Sequence, residues 1–141
     1  MTRLRQQKNR LAIAVALWAI LLVLLALEPD GAVGLILPSD SLKNLAHTPA
    51  YGVLAFLICL FLRFKRSVFT LKMTDRNVAV FSFFLTTGWG AGTELLQKWT
   101  FDRMASWGDW GFDALGAGAG IIFFFIFSNL PNHQLCPSKT L

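Results

Sequence analysis

The apolar residues of the chain fall into four long runs, which short polar segments separate. These runs predict four helices, at residues 11–27, 42–62, 78–97 and 110–127. A helix crosses the hydrocarbon core of a membrane with about 20 apolar residues, within a usual range of about 17 to 25. Each run has about that length, so the pattern predicts an all-α membrane protein, a bundle of four transmembrane helices.

The first run follows a basic segment, residues 1–10, and is unbroken from Leu11 to Leu27. A basic start before an apolar run also describes a signal peptide, which is the alternative interpretation. The run is long for a signal peptide, and Glu28 and Pro29 follow it immediately. We therefore expect an uncleaved first span.

Turn residues dominate the connection between the first two helices. Residues 28–31 and 38–40 each carry a turn pattern with proline. The apolar residues between them, 32–37, are too few to span, so we expect them to lie at the membrane interface or to re-enter it.

Pro49 lacks an amide hydrogen, so it belongs in the first turn of the second helix or kinks that helix.

The composition is that of an integral membrane protein. Hydrophobic residues make up 55% of the 141 residues and charged residues only 15%, against about 25% charged residues in a soluble domain. No internal repeat is evident, so we expect one domain. It consists of a basic N-terminus at 1–10, a transmembrane domain at 11–128 and a tail at 129–141.

The distribution of Lys and Arg predicts the orientation, because these residues concentrate in cytoplasmic segments. Ten of the 13 lie in the N-terminus, the tail or the connection between the second and third helices, while Lys43, Lys98 and Arg103 lie on the opposite side. Both termini are therefore expected in the cytoplasm. The net charge of +5 is then an orientation signal rather than a nucleic-acid footprint.

Polar residues near the outer helix ends are the candidates for a site, because ionisable groups are costly in lipid and usually have a partner or a task. Residues three or four apart share a helix face. Three such pairs occur at the outer ends of the predicted helices: His47 with Tyr51, Glu94 with Gln97, and Asp109 with Asp113. Arg103 lies in the connection between the third and fourth helices. We expect these side chains to converge in one polar pocket.

Arg103 is the expected partner of Glu94 or Asp113, since it stays charged and can bind a carboxylate through two hydrogen bonds. His47 is the second candidate, since it titrates near neutral pH. If the site is catalytic, Glu94, Asp113 or His47 would move a proton. The ligand-binding candidates are then the remaining polar residues: Arg103, Gln97, Asp109 and Tyr51.

Each of these residues also has a structural explanation. The side chain of Glu94 could face interfacial water, and those of His47 and Tyr51 could pack at the interface. Asp109 could be the N-cap of the fourth helix, where it stands at the predicted start. The glycine pairs Gly88/Gly92 and Gly116/Gly120 have the spacing that permits close helix packing.

Several other chemistries find no support in the sequence. Cys59 and Cys136 both fall on the cytoplasmic side of the predicted topology, so no disulfide is expected. There is no Cys-x-x-Cys motif, and His47 and His133 lie on opposite sides, so no metal site is expected. Phosphate-loop and nucleophile-turn motifs are also missing from the sequence. We therefore expect no cofactor and no nucleic-acid partner.

Two stretches resemble the VanZ-like membrane protein family. The first is Thr93-Glu94-Leu95-Leu96-Gln97, then Arg103, then Asp109-x-x-x-Asp113-Ala114-Leu115-Gly116-Ala117-x-x-Gly120. In that family an acid and a Gln close one helix, an Arg occupies the loop, and an Asp four residues before Asn or Asp opens the next helix. The second stretch, Lys43-Asn44-Leu45-Ala46-His47-x-x-x-Tyr51, resembles the family's motif on its second span, although some members carry Asp-Lys before the His.

The family takes its name from a protein associated with teicoplanin resistance. The resemblance implies a multi-pass protein of the bacterial inner membrane, and a non-catalytic role is the first hypothesis for this chain. Its expected role is in cell-envelope processes or the response to glycopeptide antibiotics, with membrane lipids and a lipid-linked cell-wall precursor as partners. A membrane enzyme or carrier that acts on a lipid-linked phosphate or glycan is the first alternative. A purely structural subunit of a membrane complex is the second.

Overall fold

A computed structural model describes residues 2–27, 40–69, 73–101 and 107–129 of the chain. Within these ranges all regular secondary structure is α-helical. The four helices are α1 (Thr2–Ala26), α2 (Asp40–Phe69), α3 (Asp75–Phe101) and α4 (Trp107–Asn129). The all-α class is thereby confirmed. The predicted interfacial segment 32–37, Arg103 and the tail from residue 130 onward lie outside the described residues.

Three of the four helices in these ranges are long and apolar enough to cross a membrane. The qualifying segments are Gln6–Ala26 of α1, His47–Lys65 of α2 and Trp110–Asn129 of α4. Three of the four predicted spans therefore have the length and composition that a span requires.

The remaining helix, α3, divides its residues between two unlike faces. Thr86 and Glu94 on one face are buried, whereas Phe81 is 53% exposed and Phe84 69% exposed on the other. The buried polar residues lower the average hydropathy of α3, whereas its exposed residues include large apolar side chains. The helix thus turns its polar residues toward the interior of the bundle.

The helices differ from their predicted bounds where charge was expected to end them. The helix α2 continues beyond residue 62 to Phe69. Arg63 lies over the ring of Phe124 at 5.6 Å, and Lys65 lies over the ring of Phe61 at 5.9 Å. Such cation–π contacts favour the helical conformation of the basic segment, and no Gly or Pro interrupts it. Pro49 lies inside α2, well beyond its first turn.

The N-cap explanation for Asp109 is wrong. The helix α4 begins at Trp107, so Asp109 falls within its first turn. An acid in that turn is favoured by the positive end of the helix dipole. The sequence pattern placed the start too late because Trp107 and Gly108 looked like part of the polar connection.

The closest helix contact joins α2 and α4 through glycine. A Cβ atom at Gly116 would collide with the backbone carbonyl of Thr48, and one at Gly120 would collide with that of Gly52. The missing side chains allow the two backbones to touch, which confirms the packing role predicted for Gly116 and Gly120.

The other predicted glycine pair does not pack in this way. At Gly88 and Gly92 an added Cβ atom would meet nothing within 4 Å in the described part of the chain. Both residues lie on the outward face of α3 and are exposed. Glycine spacing alone did not distinguish the face that packs from the face that does not.

Two apolar clusters complete the core. Leu22 of α1 packs with Tyr51, Leu54 and Ile58 of α2. The second cluster lies toward the other end of the bundle and contains Cys59, Val78 and Phe124, one residue from each of α2, α3 and α4. The polar residues considered below lie between the helices at the end of the bundle opposite this second cluster.

Candidate functional site

A buried pair, His47 and Asp113, joins α2 to α4. His47 Nδ1 and Asp113 Oδ1 are 2.9 Å apart. The Asp113 side chain is fully buried, while 30% of the His47 side chain is exposed. If Asp113 is ionised it accepts a hydrogen bond from Nδ1–H, and if His47 is also protonated the contact is an ion pair. His47, the second of the two partners predicted for the acids, thus contacts Asp113.

The close approach of α2 and α4 explains why these two side chains meet. His47 directly precedes Thr48, whose carbonyl lies against Gly116, and Asp113 lies one turn before Gly116 on α4. The Thr48 hydroxyl also lies 3.5 Å from the carbonyl oxygen of Phe112. The backbone contact therefore places both side chains in the same narrow space.

The helix α3 also borders the His47–Asp113 pair. A Cβ atom at Gly90 would collide with Asp113 Oδ2. Gly90 is thus the point at which the α3 backbone comes up against the carboxylate. A larger residue at this position would compete with the Asp113 side chain for the same volume.

Tyr51 extends the site from α2 to α3. Its hydroxyl lies 2.8 Å from Thr93 Oγ1, and Thr93 Oγ1 donates to the carbonyl oxygen of Gly90 at 2.8 Å. Because the single hydroxyl proton of Thr93 is used in that bond, Tyr51 is the donor between the two hydroxyls. The Tyr51 ring also stacks on His47, with ring centroids 5.9 Å apart and planes 11° apart.

Glu94 and Gln97 have different surroundings although they share a helix face. Glu94 is 8% exposed and directly follows Thr93, whose hydroxyl contacts that of Tyr51. Gln97 Nε2 instead donates to the carbonyl oxygen of Ala26 in α1 at 3.0 Å. The structure therefore groups Glu94 with the site and gives Gln97 a bond that holds α1.

The remaining predicted residues can be placed only in part. Arg103 and the Asp109 side chain lie outside what the structure describes. Thr93 and Gly90 are site residues that the sequence interpretation did not assign. Their signal is the spacing of Gly90, Thr93 and Glu94, which places all three on one face of α3.

The arrangement can hold and move a proton. A carboxylate that binds one imidazole nitrogen orients the ring and stabilises its protonated form. Among the described residues, no group of three or more His, Cys, Asp or Glu side chains is placed to hold a metal ion. No protein-family model, curated protein or solved structure matches the chain.

Proposed function

We propose that this chain is a VanZ-like protein of the bacterial inner membrane that acts in cell-envelope processes, including the response to glycopeptide antibiotics. The single observation that carries the proposal is the contact between His47 and Asp113. These residues belong to the two separate stretches that resemble the family. Tyr51 and Thr93, which also come one from each stretch, form a second contact beside the first.

The proposal includes four membrane spans with both termini in the cytoplasm. The charge distribution supports this topology, since ten of the 13 Lys and Arg residues then fall on the cytoplasmic side. The faces of α3 support its role as the third span along the chain. Its outward residues include Val80, Phe81, Phe84 and Leu85, all exposed, and such a face suits contact with lipid.

The polar site then lies near the outer surface, within reach of cell-wall precursors and surface antibiotics. His47 supports this placement because it is partly exposed at one end of an otherwise buried cluster. Arg103 follows in the connection between α3 and α4, where a cation would suit an anionic headgroup.

Teicoplanin susceptibility tests the proposal. The chain is expressed in a bacterial host without a similar protein, and the growth-inhibitory concentration is measured. We expect it to rise several-fold with the wild-type chain and to return to the host value with Asp113→Asn at equal abundance in the membrane. The control is Thr100→Ala, because the Thr100 hydroxyl is exposed and bonds only the Leu96 carbonyl among the described residues. An unchanged inhibitory concentration with the wild-type chain contradicts the proposal.

A second candidate is a membrane enzyme or carrier for a lipid-linked phosphate or glycan. The orientation of His47 favours it, because a carboxylate on Nδ1 is the arrangement that prepares the other ring nitrogen for proton transfer. In this case His47 would move the proton and Arg103 would hold the anion. Phosphate release from a polyprenyl diphosphate in detergent micelles, lost with His47→Gln, would favour this candidate over the non-catalytic one.

A purely structural role is the third candidate, and abundance in the membrane separates it from the other two. Under this role, Glu94→Gln and Asp113→Asn should lower the amount of folded protein in the membrane. Under either of the first two, these variants accumulate normally and lose function.

A further inference from the structure

Two hydroxyl groups of α3 are buried without a hydrogen-bond partner among the described residues. They are Ser82 Oγ and Thr86 Oγ1, and both residues are 0% exposed. Buried polar groups of proteins are nearly always hydrogen-bonded, to protein or to ordered water. Each of the two hydroxyls therefore requires a stronger partner than the described side chains supply.

Neighbouring threonines show that the backbone of α3 could have supplied one. The Thr87 hydroxyl donates to the Phe83 carbonyl at 2.9 Å, and that of Thr93 donates to the Gly90 carbonyl. Both residues are buried, at 4% and 5% exposure. Thr86 has the same option within its own helix but its hydroxyl is directed elsewhere.

Ser82 and Thr86 form a column with the His47–Asp113 pair. Ser82, Thr86 and Gly90 are four residues apart, so they lie on one face of α3 with about 6 Å of rise between successive members. Gly90 is the residue that abuts the Asp113 carboxylate. From that carboxylate, the Thr86 hydroxyl is one turn deeper in the bundle and the Ser82 hydroxyl is two.

The column ends at a weak hydrogen-bonding group. The Cys59 thiol of α2 lies beside Ser82 and offers its hydroxyl only a weak hydrogen-bonding partner. Beyond it are Val78 and Phe124, which belong with Cys59 to the second apolar cluster. The polar column thus begins at the candidate site and stops where the interior becomes apolar.

The chemistry of the column suits water better than other ligands. A buried water molecule usually makes about three hydrogen bonds, and the column offers two hydroxyls and a carboxylate. A divalent cation would require more oxygen ligands with charge than this column contains.

We propose that Ser82 and Thr86 bind internal water, and that this water extends the His47–Asp113 site two helical turns into the bundle. Each hydroxyl donates to or accepts from a water molecule, and the water nearest Thr86 continues toward Asp113. This hydration is independent of the proposed function, because it requires neither an envelope role nor catalysis.

Water-edited solid-state NMR of the full chain in lipid bilayers tests the proposal. Magnetisation that starts on water protons reaches a side chain faster when water is bound next to it. With labelled Thr and Ser, we expect the Thr86 signal to build up several-fold faster than the Thr87 signal. Thr87 is a matched internal control, since it is the adjacent residue, has the same side chain and is also buried. Equal build-up rates for Thr86 and Thr87 overturn the proposal.

A substitution tests whether the two hydroxyls share one column. Thr86→Val keeps the shape of the side chain and removes its hydroxyl. We expect the transfer of magnetisation from water to Ser82 to slow several-fold in this variant and to stay unchanged in Thr87→Val. If Ser82 receives magnetisation at the wild-type rate in Thr86→Val, the two hydroxyls are hydrated separately and the column is wrong.

Discussion

The interface between α2 and α4 and the interface that holds α1 are built in different ways. Between α2 and α4 the backbones touch, because Gly116 and Gly120 face the carbonyls of Thr48 and Gly52. The helix α1 is held by side chains instead. Leu22 packs against α2, Trp18 Nε1 donates to the Ala50 carbonyl at 2.9 Å, and Gln97 Nε2 donates to the Ala26 carbonyl.

The glycine contact between α2 and α4 positions the site, whereas α1 does not. Backbone contact brings the two helices to a short separation that longer side chains would prevent, so side chains beside the contact lie close together. His47 and Asp113 lie directly beside the glycine contact. Leu22 is the only residue of α1 that is buried among those whose side chains are described, so α1 covers the bundle without organising the site.

The largest effect is expected where backbones touch. In Gly120→Ala the new Cβ atom collides with the Gly52 carbonyl group, which belongs to a helix backbone and cannot rotate away. We expect a loss of about 3 kcal/mol, the upper end of the usual cost of overpacking. Thermal unfolding in one lipid or detergent system measures it.

Gly118→Ala is the matched control for this prediction, because a Cβ atom at Gly118 would meet no described residue within 4 Å. It should leave stability unchanged or raise it by up to about 1 kcal/mol through helix propensity. If the two substitutions destabilise the protein equally, the loss comes from adding a methyl group anywhere on α4. The contact between Gly120 and α2 would then not explain it.

The smallest effect is expected at α1. Trp18→Phe keeps an aromatic ring and removes the hydrogen bond to the Ala50 carbonyl, so it should cost about 0.5–1.5 kcal/mol. The control is Trp99→Phe at a residue that is 76% exposed, where no change is expected. A loss at Trp18 as large as that at Gly120 would contradict the peripheral position of α1.

The fold was predictable from the sequence as far as the apolar runs determine it. Runs long enough to span identify helices because only a helix satisfies its own backbone in lipid. The residues at which the helices end were less predictable. Basic residues that should have ended α2 at residue 62 contact Phe124 and Phe61 instead, and such contacts depend on how the helices pack.

The candidate site was predictable within each helix but not between helices. Spacing of three or four residues correctly placed His47 with Tyr51 on one face. It could not select the partner of Asp113, because that choice depends on the glycine contact between α2 and α4. Thr86 and Thr87 illustrate the same limit. The two adjacent threonines look alike in the sequence, but the Thr87 hydroxyl donates to the Phe83 carbonyl, whereas the Thr86 hydroxyl has no hydrogen-bond partner among the described residues.

The most direct test of the account is the coupling between His47 and Asp113. His47→Ala, Asp113→Ala and the double variant are compared with the wild-type chain by their free energies of unfolding. Residues in contact within one hydrogen-bonded site should show a coupling of about 1–3 kcal/mol. If the two single effects instead add to within about 0.5 kcal/mol in the double variant, the pair does not organise the site and the account is wrong.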